Sequence, residues 1–290
     1  EGLPYVAVMI ISLVMYKRMG ISNTEIALYT SWLNLPWVIK PLWSPFIDLI
    51  KTKRYWITSM QLLIGAGLAG IAFTIPASSF LQTTLAIFWL MAFSSATHDI
   101  AADGFYMLGL SQHDQALFVG IRSTFYRLAT ITGQGLLIML AGYLETATGN
   151  ISRAWSITFF IMSGLFIGLW LYHKYILPHP ASDVKTNSNS SSGILPSFIS
   201  TFRSFFKKEQ AGIAILFMLL YRLPEAQLAK MGIPFLLDPV EQGGMGMTTE
   251  QIGFTQGTVG VIGLTIGGIL GGIAVSRHGL KKWLWPMVWA

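Results

Sequence analysis

The chain has 290 residues, 53% of them hydrophobic and only 11% charged, with a mean hydropathy of +0.57. A soluble domain carries about 25% charged residues, so this composition excludes an ordinary soluble protein and places the chain in a membrane. The net charge of +6 is spread over short segments between apolar runs, which argues against a nucleic-acid surface, and the lack of cysteine excludes a disulfide framework or a thiolate metal site.

Several apolar runs exceed 18 residues, which excludes a single anchor on a soluble body. Residues 3–15 predict a first helix, α1, and residues 24–47 a second, α2, interrupted by Pro36, Pro41 and Pro45 and carrying Lys40 at membrane depth. Ser22 and Glu25 have capping-box spacing at the start of α2. A basic loop with Asp48, Lys51, Lys53 and Arg54 follows, then α3 over residues 55–75 with small residues suited to close packing. The run from about residue 82 to 110 predicts α4, and residues 117–144 predict α5 with Arg122, Arg127 and Gln134. Residues 154–177 predict α6. Residues 178–210 read as a polar Ser/Asn-rich linker ending in an amphipathic interfacial helix over 195–205. Residues 211–237 predict α7, broken near Pro224 and Pro234, with Arg222, Glu225 and Lys230. Residues 249–275 predict a Gly-rich α8, and α9 begins near 280. The chain opens without a methionine and its last apolar run is a turn or two long, so a fragment cut at both ends is expected. Three bodies are expected: a six-helix bundle over 1–177, the linker over 178–210, and the start of a second bundle over 211–290.

Counting loops alternately, three Lys and Arg fall on one side and eleven on the other, among them Lys51, Lys53, Arg54, Lys174, Arg277, Lys281 and Lys282. Basic loops stay inside, so the second side and the linker are expected to be cytoplasmic.

The most informative stretch is residues 92–106, AFSSATHDIAADGFY, inside the apolar α4. Asp99 and Asp103 are four apart, hence on one helix face. Each costs about 2.5–3.5 kcal/mol near a bilayer centre, and ionisable groups held there point to function. The turn between α4 and α5 is centred near His113. Asp103 lies ten residues before it and Arg122 nine after, while Asp99 and Arg127 each lie fourteen away. Equal depth predicts two stacked contacts, Asp103–Arg122 and Asp99–Arg127. They are either permanent ion pairs or sites where a carboxylate trades its Arg for a proton. His98 is a conceivable relay or a hydrogen-bonded packing residue. Lys40 needs a counter-charge, with Asp99 or a substrate carboxylate as the natural partners. Arg222 and Glu225 either pair with each other or face the substrate. Tyr29, Trp32, Trp37, Phe105 and Tyr126 offer stacking surfaces, and Asn34 and Gln134 offer hydrogen bonds.

The chain also repeats itself. Met19-Gly20-Ile21-Ser22 with Glu25-Ile26 matches Met245-Gly246-Met247-Thr248 with Gln251-Ile252 at an offset of 226, and Ser44-x3-Asp48-x4-Lys53-Arg54 matches Gly272-x3-Ser276-x4-Lys281-Lys282 at 228. Internal repeats with ionisable groups at depth read as a secondary transporter with its site between the halves. Asp99-x3-Asp103-Gly104 superficially matches the acidic motif of membrane phosphotransferases. Its spacing is one too long and no second acidic pair follows, so no enzyme is expected.

Gly272-x3-Ser276-Arg277-x-Gly279-x-Lys281-Lys282 resembles the major facilitator signature, with Ser276 in place of the usual Asp. Gly2-Leu3-Pro4, the stretch from Lys40-Pro41-Leu42-Trp43-Ser44-Pro45 to Asp48, and Asp99-Ile100-Ala101-x-Asp103 together resemble AmpG-type muropeptide permeases. The Lys-x-x-Trp-x-Pro pattern is shared with a related acetyl-CoA transporter family. The resemblance implies an all-α major facilitator fold of two pseudo-symmetric six-helix halves, here with the second half truncated. It implies a proton-coupled importer of anhydromuropeptides in the inner membrane of a Gram-negative bacterium. An acidic or bulky organic solute such as an acyl-CoA-like compound is the alternative. Asp99, Asp103 and His98 are then expected in proton coupling, with Lys40, Arg122, Arg127, Arg222, Glu225 and Gln134 in the ion-pair and substrate network. Asp48, Lys53, Arg54, Arg277, Lys281 and Lys282 are expected in gating loops. No metal or organic cofactor is expected, the coupling ion is H+, and a monomer in the bilayer, with a small-molecule substrate and no nucleic-acid partner, is the expected state.

Overall fold

The computed structural model describes residues 2–289 apart from 45–46, 48–49, 111–120, 123, 184–202, 204–206 and 208–209. The helices follow the apolar runs. α1 is built from Gly2–Val6, a π-helical turn Ala7–Ile11 and Ser12–Arg18. α3 is Lys53–Thr74, α4 Phe80–Gly109, α6 Ile151–Ile176 and α7 Ala211–Leu237. α5 covers Thr124–Thr148 and includes the π-helical stretch Ile131–Leu137. α8 joins Thr249–Phe254, a π turn Thr255–Val259 and Gly260–His278, and α9 is Leu280–Trp289. Five of these helices are long and apolar enough to cross a membrane, including α4 with 30 residues. At 1.5 Å per residue α4 is about 45 Å long, more than the roughly 30 Å hydrocarbon core, so its last turns reach beyond it.

One expectation about helix continuity holds and one is corrected. α2 is interrupted at Pro36 and Pro41 as expected, and Pro45 lies outside the described residues. Asn23–Trp32 ends at a turn over Leu33 and Asn34, Leu35–Ile39 restarts with Pro36 in its first turn, and Lys40–Leu42 tightens to 3-10 geometry at Pro41. Each proline lacks an N–H and crowds the preceding turn, so the chain re-nucleates instead of continuing. α7, in contrast, runs unbroken through Pro224 and Pro234. The expected interfacial helix over 195–205, most of the linker, the α4–α5 turn and Asp48 lie outside the described residues.

The larger of two core clusters among the described residues is shared by the first six helices and by the ends of α7 and α8, and a small one around Ile47, Ile57 and Ala101 lies apart from it. Tyr16 stands edge-on to Phe88 at 6.0 Å, Phe88 to Phe159 at 6.0 Å, and the Tyr16 hydroxyl meets Thr84 at 2.9 Å. Ile233, Leu237 and Ile252 join the same cluster from the second half. α3 sits between α4 and α6. Ser156 donates to the Ala72 carbonyl and Ser163 to the Gly65 carbonyl, each at 2.8 Å, which ties α6 to α3 through satisfied polar groups.

The internal repeat is visible in three dimensions. Both capping boxes form, Ser22 with Glu25 and Thr248 with Gln251. Before each, a glycine occupies the left-handed region, Gly20 at φ 85° and Gly246 at φ 63°, which side-chain-bearing residues adopt only at a cost. The same turn therefore launches α2 and α8.

Candidate functional site

The two halves meet at the end bearing the Gly20 and Gly246 turns. There the π-helical parts of α5 and α8 lie backbone to backbone. A Cβ on Gly135 would sit 3.1 Å from the Gly257 Cα, and one on Gly253 would sit 2.6 Å from the Met139 nitrogen. π turns carry an extra residue per turn and often mark functional sites. Here they present glycines to each other.

Polar groups close this mouth. The Glu145 carboxylate, 9% exposed, accepts from Trp155 Nε1 at 2.8 Å and Thr249 Oγ1 at 2.8 Å, and pairs with Arg18 at 2.8 Å. Trp155, Arg18 and Glu145 belong to the first half, and Thr249 to the second. Beside them Lys17 pairs with Asp238, and Asn23 donates to the other Asp238 oxygen at 2.7 Å. These bonds, the Lys17 bond foremost, hold the Asp238 carboxyl below its ordinary range.

Inward of this mouth lies a cavity of about 850 Å³ between α1, α2 and α7. Tyr5, Ser31, Asn34, Glu225, Gln227 and Lys230 supply its polar and aromatic lining. Lys230 is held by neutral oxygens, donating to the Thr30 carbonyl at 3.1 Å and the Thr30 hydroxyl at 3.2 Å. Trp37 stands edge-on to Tyr5 at 5.1 Å. This is a space of ligand size walled by both halves.

On α4 the expected Asp103–Arg122 pair is present, with both side chains about 40% exposed, and the Arg122 guanidinium lies 5.5 Å from the Tyr106 ring. The expected Asp99–Arg127 pair is not. Asp99 pairs with Lys40 at 2.6 Å, the two side chains 24% and 33% exposed, and Arg127 is exposed. Arg122 and Arg127 are five apart, about 140° around the helix at 3.6 residues per turn, so both cannot face α4. The break in α2 brings Lys40 there instead.

The remaining expected residues are dispersed. Glu225 lines the cavity, and Gln134 is half-buried in the π-helical part of α5. The Arg222 side chain and Asp48 lie outside the described residues. Arg54 donates to the carbonyls of Lys174 and Leu177 at 2.5 and 3.3 Å, closing the end of α6. The Asp183 carboxylate accepts from the Lys53 and Arg54 amides at 2.7 and 3.0 Å at the start of α3. Arg54 thus works within the first half, where a carboxylate and a cation complement helix ends. Arg277, Lys281 and Lys282 are exposed around the α8–α9 turn. His98 is buried, with Nε2 unpartnered among the described residues. Glu145 and Asp238 were not singled out from the sequence. Both lie at helix ends in polar surroundings, where an acid looks unremarkable until its partners are known.

Membrane-length apolar helices, repeated halves and a polar cavity between them define a multi-pass membrane transporter, not an enzyme. The Major Facilitator Superfamily pattern matches residues 5–289, and the chain belongs to that superfamily. Among curated proteins, a Rickettsia conorii protein bearing the name AmpG 4 is 27% identical over 294 residues, covering 98% of this chain and 67% of that protein. Its Rickettsia felis counterpart is 26% identical over 298 residues, with the same two coverages. The anhydromuropeptide permease of Escherichia coli K12 is 24% identical over 259 residues, covering 88% of this chain and 49% of that protein. The chain thus spans about two thirds of the Rickettsia proteins and about half of the E. coli one. No solved structure matches it. The localisation these relatives and helices support is the bacterial inner membrane.

Proposed function

We propose that the full-length protein imports anhydromuropeptides, or closely similar acidic sugar peptides, by proton-driven alternating access. The observation that carries this reading is the cavity of about 850 Å³ walled by both halves. Its Lys230, held among the described residues by Thr30 oxygens, is placed to take a peptide carboxylate, and Asn34, Ser31 and Tyr5 offer hydrogen bonds and an aromatic edge to sugar rings. The relative named anhydromuropeptide permease supports the choice of solute. The basic end is taken as cytoplasmic, the linker over 178–210 with it, and the unit as a monomer. The Lys40–Asp99 pair is the proton-sensitive element: a substrate anion that draws Lys40 away leaves Asp99 to be neutralised by a proton. An acyl-CoA-like solute is the second reading, since Lys40 and Lys230 serve any large anion.

The test is uptake of labelled anhydromuropeptide by cells expressing the full-length protein, with and without an uncoupler. Accumulation that the uncoupler abolishes, and that Lys230→Met lowers at least tenfold through a raised KM, is the expected result. Uptake indifferent to the uncoupler sinks the proton reading, and failure to accumulate the muropeptide sinks the substrate.

A further inference from the structure

A second pocket lies wholly inside the first half, between α3, α4 and α6, separate from the cavity between the halves. It is an open pocket of about 350 Å³ that runs from His98 to the basic end, where Gly109, Leu177 and Pro178 rim it. Its inner part carries Gln61, His98 and His173, with Gln61 Nε2 bonded to His173 Nδ1 at 2.8 Å. Two atoms there are orphans. Gln61 Oε1 and His98 Nε2 are buried without a hydrogen-bond partner among the described residues, on residues only 6% and 7% exposed. Buried polar atoms are nearly always satisfied, by protein or by water. The pocket has room for several waters of about 30 Å³ each and offers them donors and acceptors, which is what buried water requires.

The neighbouring carboxylates show what such water serves. Until a substrate anion draws Lys40 away, Asp99 is paired with Lys40, and Asp103 is paired with Arg122, so in this state a proton placed on either strands a cation. A proton on His98 Nε2 breaks no contact. The other titratable groups brought by helices packed on α4 are Lys53 on α3, beside Gly104, and His173 on α6. Tyr106 lines the pocket from α4 itself. No carboxylate is among the described residues that line the pocket.

We propose that this pocket is a water-filled inlet through which His98 Nε2 exchanges the coupling proton with the basic side of the membrane, by way of Gln61 and His173. The inference rests on the proton-driven reading above, and its test separates the two. Full-length protein in proteoliposomes is assayed for accumulation of labelled anhydromuropeptide under a pH gradient and for counterflow at equal pH. Gln61→Leu, which dries the pocket, is expected to lower the ratio of gradient-driven accumulation to counterflow at least tenfold, and His98→Gln to do the same. His173→Phe serves where His98→Gln does not fold. An unchanged ratio in Gln61→Leu and in the histidine variant overturns the proposal, as does equal loss of both activities, which marks a merely structural role. Radiolytic hydroxyl footprinting reads the water directly, without transport: oxidation of His98 and Tyr106 in the parent, lowered at least threefold in Gln61→Leu, is expected, and protection of both in the parent overturns the inlet. A footprinted pocket in a protein whose counterflow is intact, but which shows no gradient-driven accumulation, overturns proton coupling while leaving the hydration in place.

Discussion

The Thr249 hydroxyl donates to the Glu145 carboxylate at 2.8 Å across 104 residues of chain, and this bond joins one half of the transporter to the other. Arg18 and Trp155 hold Glu145 from its own half. At Glu145, opening the mouth therefore breaks one neutral donor's bond and leaves the carboxylate charge compensated by Arg18. Glu145→Gln leaves one acceptor oxygen where Trp155 and Thr249 use one each, so the bond across the mouth weakens, and it deprives Arg18 of its counter-charge. A hydrogen bond to a charged group contributes about 1.5–3 kcal/mol, so closure is expected to weaken by about tenfold or more. Ile252→Cys, fully buried one turn inside the mouth, is the only thiol in a chain without cysteine. Its alkylation rate should rise by that factor in Glu145→Gln.

The glycine contact between α5 and α8 sets how tightly the mouth shuts. A Cβ at 257 would overlap the Gly135 backbone, and backbone cannot swing aside as a side chain can. Gly257→Val is expected to hold the mouth ajar, abolishing transport with normal expression and leaving the Ile252→Cys thiol permanently reactive. Normal transport in this variant contradicts the closed geometry.

The Lys17–Asp238–Asn23 contact makes closure depend on acid. Asp238 sits below its ordinary value of 3.8 while it is bonded across the mouth, and opening returns it to the ordinary range. The closed state binds fewer protons there, so its stabilisation is complete above the ordinary value and is lost as pH falls through the lowered one. In detergent, the rate of the Ile252→Cys thiol with a dithiodipyridine reagent, divided by that of a free small thiol at the same pH to remove the thiolate dependence, should be constant from pH 8 to about pH 5. The ratio should rise below about pH 4, and Asp238→Asn should remove that acid step.

Lys40 and Asp99 form a part-buried pair, and removing one partner strands the other. Between the limits for exposed and buried pairs, Lys40→Met is expected to destabilise by about 1–3 kcal/mol. Adding Asp99→Leu should recover most of that loss in a thermal melt while leaving gradient-driven uptake abolished. Recovery of transport in the double variant rules the pair out of coupling.

Much of this protein is determined by local sequence. Hydropathy places the helices, and α7 has the expected bounds. Ser22 with Glu25 and Thr248 with Gln251 form the boxes their spacing implies, because a cap is made within four residues. Asp103 finds Arg122 because a hairpin sets depth, and depth follows from counting. The partner of Asp99 is another matter. Equal depth favoured Arg127, but the rotation of α5 turns that side chain outward and the proline break in α2 delivers Lys40, and neither rotation nor a kink's direction is a local property. The closed mouth is decided in the same way. Lys17 and Asp238 are 221 residues apart, Glu145 and Thr249 104, and the orphaned His98 Nε2 becomes visible only once α3 and α6 enclose it. The sequence determines which groups lie in the membrane and how deep, because burial of apolar surface is summed along the chain. Only the tertiary structure decides which of them meet, because that depends on how the helices turn against one another.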